Sequence, residues 1–133
     1  MLGDKIHEIN GRIIGQRVMP GNPVQIEVTF QGTGTVLGKP CTELGTYLAT
    51  MEPGGILYAN GQGIIMTKDG ESITWTGQGR GKPSGKGLGA SWRGSIYYTT
   101  TSAKYARINK TPGIFEWEVD EDGTARGAVW EWK

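Results

Sequence analysis

Cysteine and histidine are nearly missing from this chain: among 133 residues, Cys41 and His7 are the sole examples of their types. One cysteine excludes an internal disulfide framework and fits a reducing compartment, so a cytoplasmic setting is expected. One histidine beside one cysteine leaves no set from which a His/Cys zinc site could be assembled, and neither metal nor other cofactor is expected. Long apolar runs are lacking too. No stretch approaches the roughly 18 to 20 residues of a membrane-spanning helix, and the opening MLGDKIHEING lacks the basic-then-apolar order of a signal peptide. Helical spacing is almost absent; only Thr101 to Asn109 suits a short turn of helix or an irregular crossover.

Glycine is what the chain has in excess: 23 residues, about 17%, against roughly 7% in ordinary usage. Collagen is excluded, because glycine does not fall at every third position and there are only six prolines. Five Trp, five Tyr and two Phe supply enough bulk for one core, which sets the chain apart from disordered sequences. At this length a single domain spanning 1–133 is expected.

Apolar residues recur at every second position between short Gly, Pro, Asp and Asn clusters, the pattern of strands and turns. The clearest case places Val24, Ile26, Val28 and Phe30 on one face and Gln25, Glu27, Thr29 and Gln31 on the other. Phe115, Trp117 and Val119, then Ala128, Trp130 and Trp132, read as a hairpin closed by Asp122-Gly123. Asp69-Gly70, Pro20-Gly21-Asn22-Pro23 and Pro53-Gly54-Gly55 mark further turns. Eight strands follow, at 5–18, 24–33, 43–52, 55–68, 71–79, 87–101, 113–120 and 124–133. Short connections between consecutive strands favour an antiparallel up-and-down meander, and eight long strands are enough to close it into a barrel. A two-sheet sandwich is the competing arrangement, but it needs longer crossings. Gly11 and Gly15, Gly61 and Gly63, Gly77 and Gly79, and Gly87 and Gly89 form same-face pairs, as expected where strands bend or approach closely.

The net charge is +1, but its distribution is uneven. No acid occurs from Ser72 to Phe115, a stretch that holds Arg80, Lys82, Lys86, Arg93, Lys104, Arg107 and Lys110, seven of the fourteen basic residues. Glu116, Glu118, Asp120, Glu121 and Asp122 follow at once. Cross-strand pairing between these blocks is the leading explanation. The functional alternative is a basic rim at Arg80, Lys82 and Lys86 that gathers an anion; a nucleic-acid backbone ranks below a generic anion. The Gly85-Lys86 stretch fails as a phosphate-binding loop, since Arg80 stands where the first glycine belongs and Gly87 where the hydroxyl belongs.

No catalytic constellation is identifiable. His7, between Ile6 and Glu8, reads as a surface or barrel-end residue, and Cys41 as a small buried or partly buried one, although a barrel would let strands one and three approach. Glu8, Glu27 and Glu43 are the strand acids that a bulge could turn inward, with Glu27 expected outward. Aromatic residues are the main candidates: Tyr58, Trp75, Trp92 and Tyr98 are expected to line the lumen. Asn60 and Gln62, in phase with Ile56, Tyr58, Ile64 and Met66, are expected to place amides among them. Strand four is apolar on both faces, as is strand one, so burial of an outer face in a homo-oligomer is also expected.

Gly45-Thr46-Tyr47, Gly61-Gln62-Gly63, Thr74-Trp75-Thr76-Gly77 and Trp92-Arg93-Gly94 form a run of Gly-rich antiparallel strands that resembles the allene oxide cyclase-like, or calycin-like, barrels and related prokaryotic proteins of unknown function. The resemblance implies an eight-stranded barrel whose lumen takes an apolar or amphipathic small molecule, with a cyclase-like isomerase as the enzymatic alternative. No catalytic residue can be matched position by position. An oligomeric scaffold or anion-binding module using the basic rim is the third reading.

Overall fold

The computed structural model describes residues 1–133 as one closed barrel of eight antiparallel strands in sequential order. The strands are β1 (Leu2–Met19), β2 (Gln25–Val36), β3 (Lys39–Glu52), β4 (Ile56–Thr67), β5 (Ser72–Pro83), β6 (Ala90–Thr99), β7 (Gly113–Val119) and β8 (Thr124–Trp132). Closure comes from β1 pairing with β8 over Leu2–Arg12, which leaves Ile13–Met19 of β1 paired on the β2 side alone. The meander is as the sequence predicts. The β2–β3 connection is shorter than expected and turns at Leu37-Gly38, both with positive φ, while β6 begins at Ala90 and leaves Gly87 and Gly89 in a loop. Gly70 and Gly123 take the positive φ that the Asp-Gly turns require.

The stretch expected to turn helically forms a 3-10 segment, Ala103–Asn109, that lies across one end of the barrel. Tyr105 and Ile108 are buried beneath it together with Val36, Ile65 and Ile73. Polar contacts fasten this end. Tyr105 donates to Asp69, whose carboxyl also receives Lys104 at 2.5 Å, and Arg107 reaches both Asp4 and Glu131. The Lys104 ammonium and the Thr67 hydroxyl hold Asp69 well below the usual carboxylate range.

At the opposite end, register carries the inner face outward to Val18, Ile26 and Met51, which remain exposed. The β1 and β2 strands run past the packed core here, so alternation continues after there is nothing left to pack against.

Glycine decides what the lumen holds. The inner face of β4 carries Ala59, Gly61, Gly63 and Ile65, while Tyr58, Asn60, Gln62, Ile64 and Met66 face out. This reverses the phase expected from apolar bulk. A Cβ on Gly63 would lie 2.5 Å from the Trp75 indole, and one on Gly45 would lie 2.6 Å from the Phe30 ring and 2.8 Å from Trp75. Such distances are far inside van der Waals contact, so the bare backbone is what admits the rings. Gly81 and Gly127 likewise lie under Trp92 and Trp117.

Candidate functional site

Glu43 lies at the centre of the site, on the inner face of β3, and is 6% exposed. Its carboxylate is reached from both sides, each time across an intervening strand. From β1, His7 Nε2 stands 2.7 Å from Glu43 Oε1; between them β2 presents Gly32 and Gly34 on its inner face. From β5, Trp75 Nε1 donates to Glu43 Oε2 at 2.7 Å, its indole passing over Gly63 of β4 and Gly45 of β3. The Trp75 contact needs its glycines, because a Cβ on Gly63 or Gly45 would meet the indole, whereas a Cβ on Gly32 or Gly34 would run into the β1 backbone at Asn10 or Glu8.

The hydrogen bonds fix the proton count. His7 Nδ1 lies 3.0 Å from the Thr35 carbonyl oxygen, which can only accept, so Nδ1 carries a proton. The Nε2 to Oε1 contact needs a second proton between its atoms. With two protons, His7 and Glu43 together have zero net charge wherever the second one rests. Burial opposes an imidazolium, but contacts with Cys41 and with the Glu43 carboxylate outweigh it and raise His7 from 6.5 to about 9. His7 is therefore protonated at neutral pH.

Around this pair the wall is aromatic. Phe30 packs on Trp117 with centroids 4.6 Å apart and runs nearly parallel to Trp75 at 6.3 Å. Tyr47 meets Trp92 edge-on at 5.6 Å. The rings and the His7–Glu43 pair border a cavity of about 90 Å³. Trp117 Nε1 donates to the Tyr47 hydroxyl at 3.4 Å, and that hydroxyl donates to nothing. Burial raises Tyr47 to about 12, so it is a neutral donor at any ordinary pH. Tyr98 meets the His7 ring edge-on, and its buried hydroxyl has no partner; burial holds it well above its usual value.

The structure thus brings together Trp75, Trp92 and Tyr98 of the expected lining set, although Tyr98 lies beside His7 and does not border the cavity. Tyr58, Asn60 and Gln62 have outward side chains, although Asn60 also borders the cavity, and the Tyr58 hydroxyl donates to Gln78 on the outer wall. His7 is a correction of a different kind: it is 4% exposed and not a surface residue. A bulge in the β1–β8 pairing between Lys5 and His7 turns both Ile6 and His7 inward. Of the three strand acids, Glu43 faces in, Glu8 is exposed and Glu27 is half-buried on the outer face. Glu43 is one of the acids that the sequence allows inward, whereas Tyr47 and Trp117 lie outside the expected lining set. The signal for Glu43 was present in the strict alternation of Cys41, Glu43, Gly45 and Tyr47.

The basic residues are arranged differently. Arg93 pairs with Glu118 at 2.5 Å across β6 and β7, as cross-strand pairing requires. Arg80 pairs with Glu52 and lies over the Tyr58 ring. Lys82 at the end of β5 and Lys86 in the following loop are exposed and make no ion pair.

No family model matches the chain, and no curated protein matches it. Solved structures share the fold. A conserved protein of unknown function from Rhodopseudomonas palustris superposes with a TM-score of 0.81 at 12% identity, covering 99% of each chain. A protein of unknown function from Clostridium acetobutylicum gives 0.82 at 12% identity, covering 99% of this chain and 98% of its own. An enzyme from Penicillium herquei gives 0.64 at 18% identity, with 96% and 92% covered. The chain is thus similar, in fold, to eight-stranded barrels that include proteins of unknown function and one enzyme.

Proposed function

We propose that this protein binds a small apolar or amphipathic molecule in its lumen. The observation that carries the reading is the cavity itself: aromatic walls, with His7, Glu43 and Tyr47 as the polar side chains that turn into it. Binding pockets of this character combine an apolar lining with a few oriented polar groups. At about 90 Å³ the space is smaller than the roughly 150 Å³ that accommodates benzene in an engineered apolar cavity. It suits a molecule of a few heavy atoms, or the end group of a larger one whose body rests on the exposed apolar rim at Val18, Ile26 and Met51. Native mass spectrometry of the purified protein tests this directly. A retained mass that is lost on Trp92→Ala supports it; a ligand-free protein whose tryptophan fluorescence responds to no small aliphatic or aromatic probe sinks it.

A second reading, an isomerase or cyclase of the allene oxide cyclase-like kind, draws on Glu43 and Tyr47 bordering the same space. A carboxylate and a neutral phenol are suited to move a proton and to steady a developing oxyanion. Chemical conversion of a bound molecule, abolished by Glu43→Gln with binding retained, would separate it from simple binding.

A further inference from the structure

We infer that a second copy of this chain packs against the outer wall of the barrel, centred on β3 and β4. The inference goes beyond the binding reading and does not depend on it.

The outer wall is divided by charge. Across β7, β8 and the first half of β1 it carries Glu116, Glu118, Arg126, Glu8 and Arg12. The wall beyond them carries none. From Thr29 to Thr35 on β2, Thr42 to Thr50 on β3, Ile56 to Met66 on β4 and Ser72 to Gln78 on β5, every side chain that faces out is uncharged. Charged residues make up 20% of the chain and favour the surface, so at least about four would be expected among the roughly twenty outward positions of such a wall.

The wall has the make-up of an interface. At its centre Leu44 and Ile64 stand opposite each other in register, with Met66 beside them, and all three are exposed. Uncharged polar residues surround them from β2 to β5. An apolar centre depleted of charge within a polar rim is how protein contacts are built, and roughly twenty residues a side is the size that stable ones reach. A groove of about 710 Å³ that borders Gln31, Leu44, Ile64 and Met66, with Arg12 at its β1 margin, indents the wall and relieves the convexity that would keep two barrels apart. Of the two strands expected to bury an outer face in an oligomer, β4 belongs to this wall and β1, with Glu8 and Arg12 outward, does not.

The chemistry of the rim identifies the occupant. A partner with charged groups would desolvate them against a face that offers no counter-charge, so the matching face must itself be uncharged. Thr, Gln and Asn side chains each donate and accept, so a face made of them is complementary to a copy of itself. A second copy supplies that face wherever the protein is present, and a two-fold contact uses the same patch on both subunits.

Analytical ultracentrifugation of the full chain at micromolar protein concentrations tests the inference. The wild type is expected to sediment as a dimer or higher assembly. Leu44→Arg and Ile64→Arg each place a charge at the centre of the contact and should weaken association about a hundredfold or more, while Glu8→Lys on the charged side should leave it unchanged. Both wall positions are exposed in a single barrel, so the variants should keep the tryptophan indole N–H spectrum of the wild type. Should either fail to fold, Gln62→Arg decides, because the wild-type side chain there is already polar and exposed. A monomeric wild type overturns the inference, as does an assembly that survives in the wall variants or is lost equally in Glu8→Lys. None of these outcomes bears on lumenal binding.

Discussion

The two ends of the barrel are built from the same strands but are finished in opposite ways. At one end the Ala103–Asn109 segment buries Tyr105 and Ile108 and is fastened through Asp69, Asp4 and Glu131. His7 and Glu43 lie inside from it, fully paired. At the other end Val18, Ile26 and Met51 stay exposed on the inner face, with fractional exposures of 68%, 37% and 49%. Polar residues are thus deepest and apolar residues outermost along this side of the lumen. Burying a polar group costs little once it is hydrogen-bonded, whereas exposed apolar area is retained only at a modest loss of burial energy.

The strongest way to break the contrast is Glu43→Leu, which removes the partner of a buried imidazolium. A loss of about 3 to 5 kcal/mol is expected for breaking a buried ion pair, read as a lower midpoint in urea unfolding. Stability unchanged by this substitution would mean that the pair contributes nothing at the closed end.

Gly63→Ala should cost about 1 to 3 kcal/mol, since its Cβ would stand 2.5 Å from the Trp75 indole. Because the ring must move, its bond to Glu43 should be lost as well, visible as a shift of the Trp75 indole N–H resonance. Gly38→Ala, on a turn with open space but positive φ, would be destabilised by backbone strain alone and would leave that resonance in place.

The closed end also predicts a pH dependence. His7 is raised from 6.5 to about 9 on folding, so the folded state holds its proton more tightly than the unfolded chain does. This contribution is complete below pH 6.5, declines as pH rises, and is gone above about 9. Urea midpoints should fall across that window in the wild type and stay flatter in His7→Gln. An identical slope in both proteins would assign the dependence to other groups.

The smallest effect belongs to the rim. Met51→Thr and Val18→Thr should change stability by about 0.5 kcal/mol or less, as surface substitutions do, because both side chains are already exposed. If the rim receives the body of a ligand, the same variants should weaken binding of any molecule recovered from the native protein.

Legibility followed the physics of each feature. Strand number, order and the Asp-Gly turns were plain, because alternation and turn chemistry are local. Trp75, Trp92 and Tyr98 are buried, as the sequence predicts, although Tyr97 and Trp132 show that a ring can also face out. On β4 the same reasoning failed. Ile56, Tyr58, Ile64 and Met66 outweigh Ala59, Gly61, Gly63 and Ile65 in apolar bulk, yet the lighter face is the inner one. The volume there is filled by rings from neighbouring strands, above all Trp75. His7 was misplaced because a bulge on β1 broke its alternation, and a bulge is set by pairing with β8 at the far end of the chain.

The sequence by itself determined an antiparallel meander of eight strands, rich in glycine and aromatic residues, with too few ligating side chains for a conventional zinc site. Only the tertiary structure decided what the glycines are for. Alternation divides a strand into two faces but does not say which one meets the core when the inner residues are glycines, since the missing volume is supplied from elsewhere. Nor does it reveal that His7 and Glu43, 36 residues apart, meet across β2. That contact depends on register between three strands and on bare backbone between them, properties that come into being only when the barrel closes.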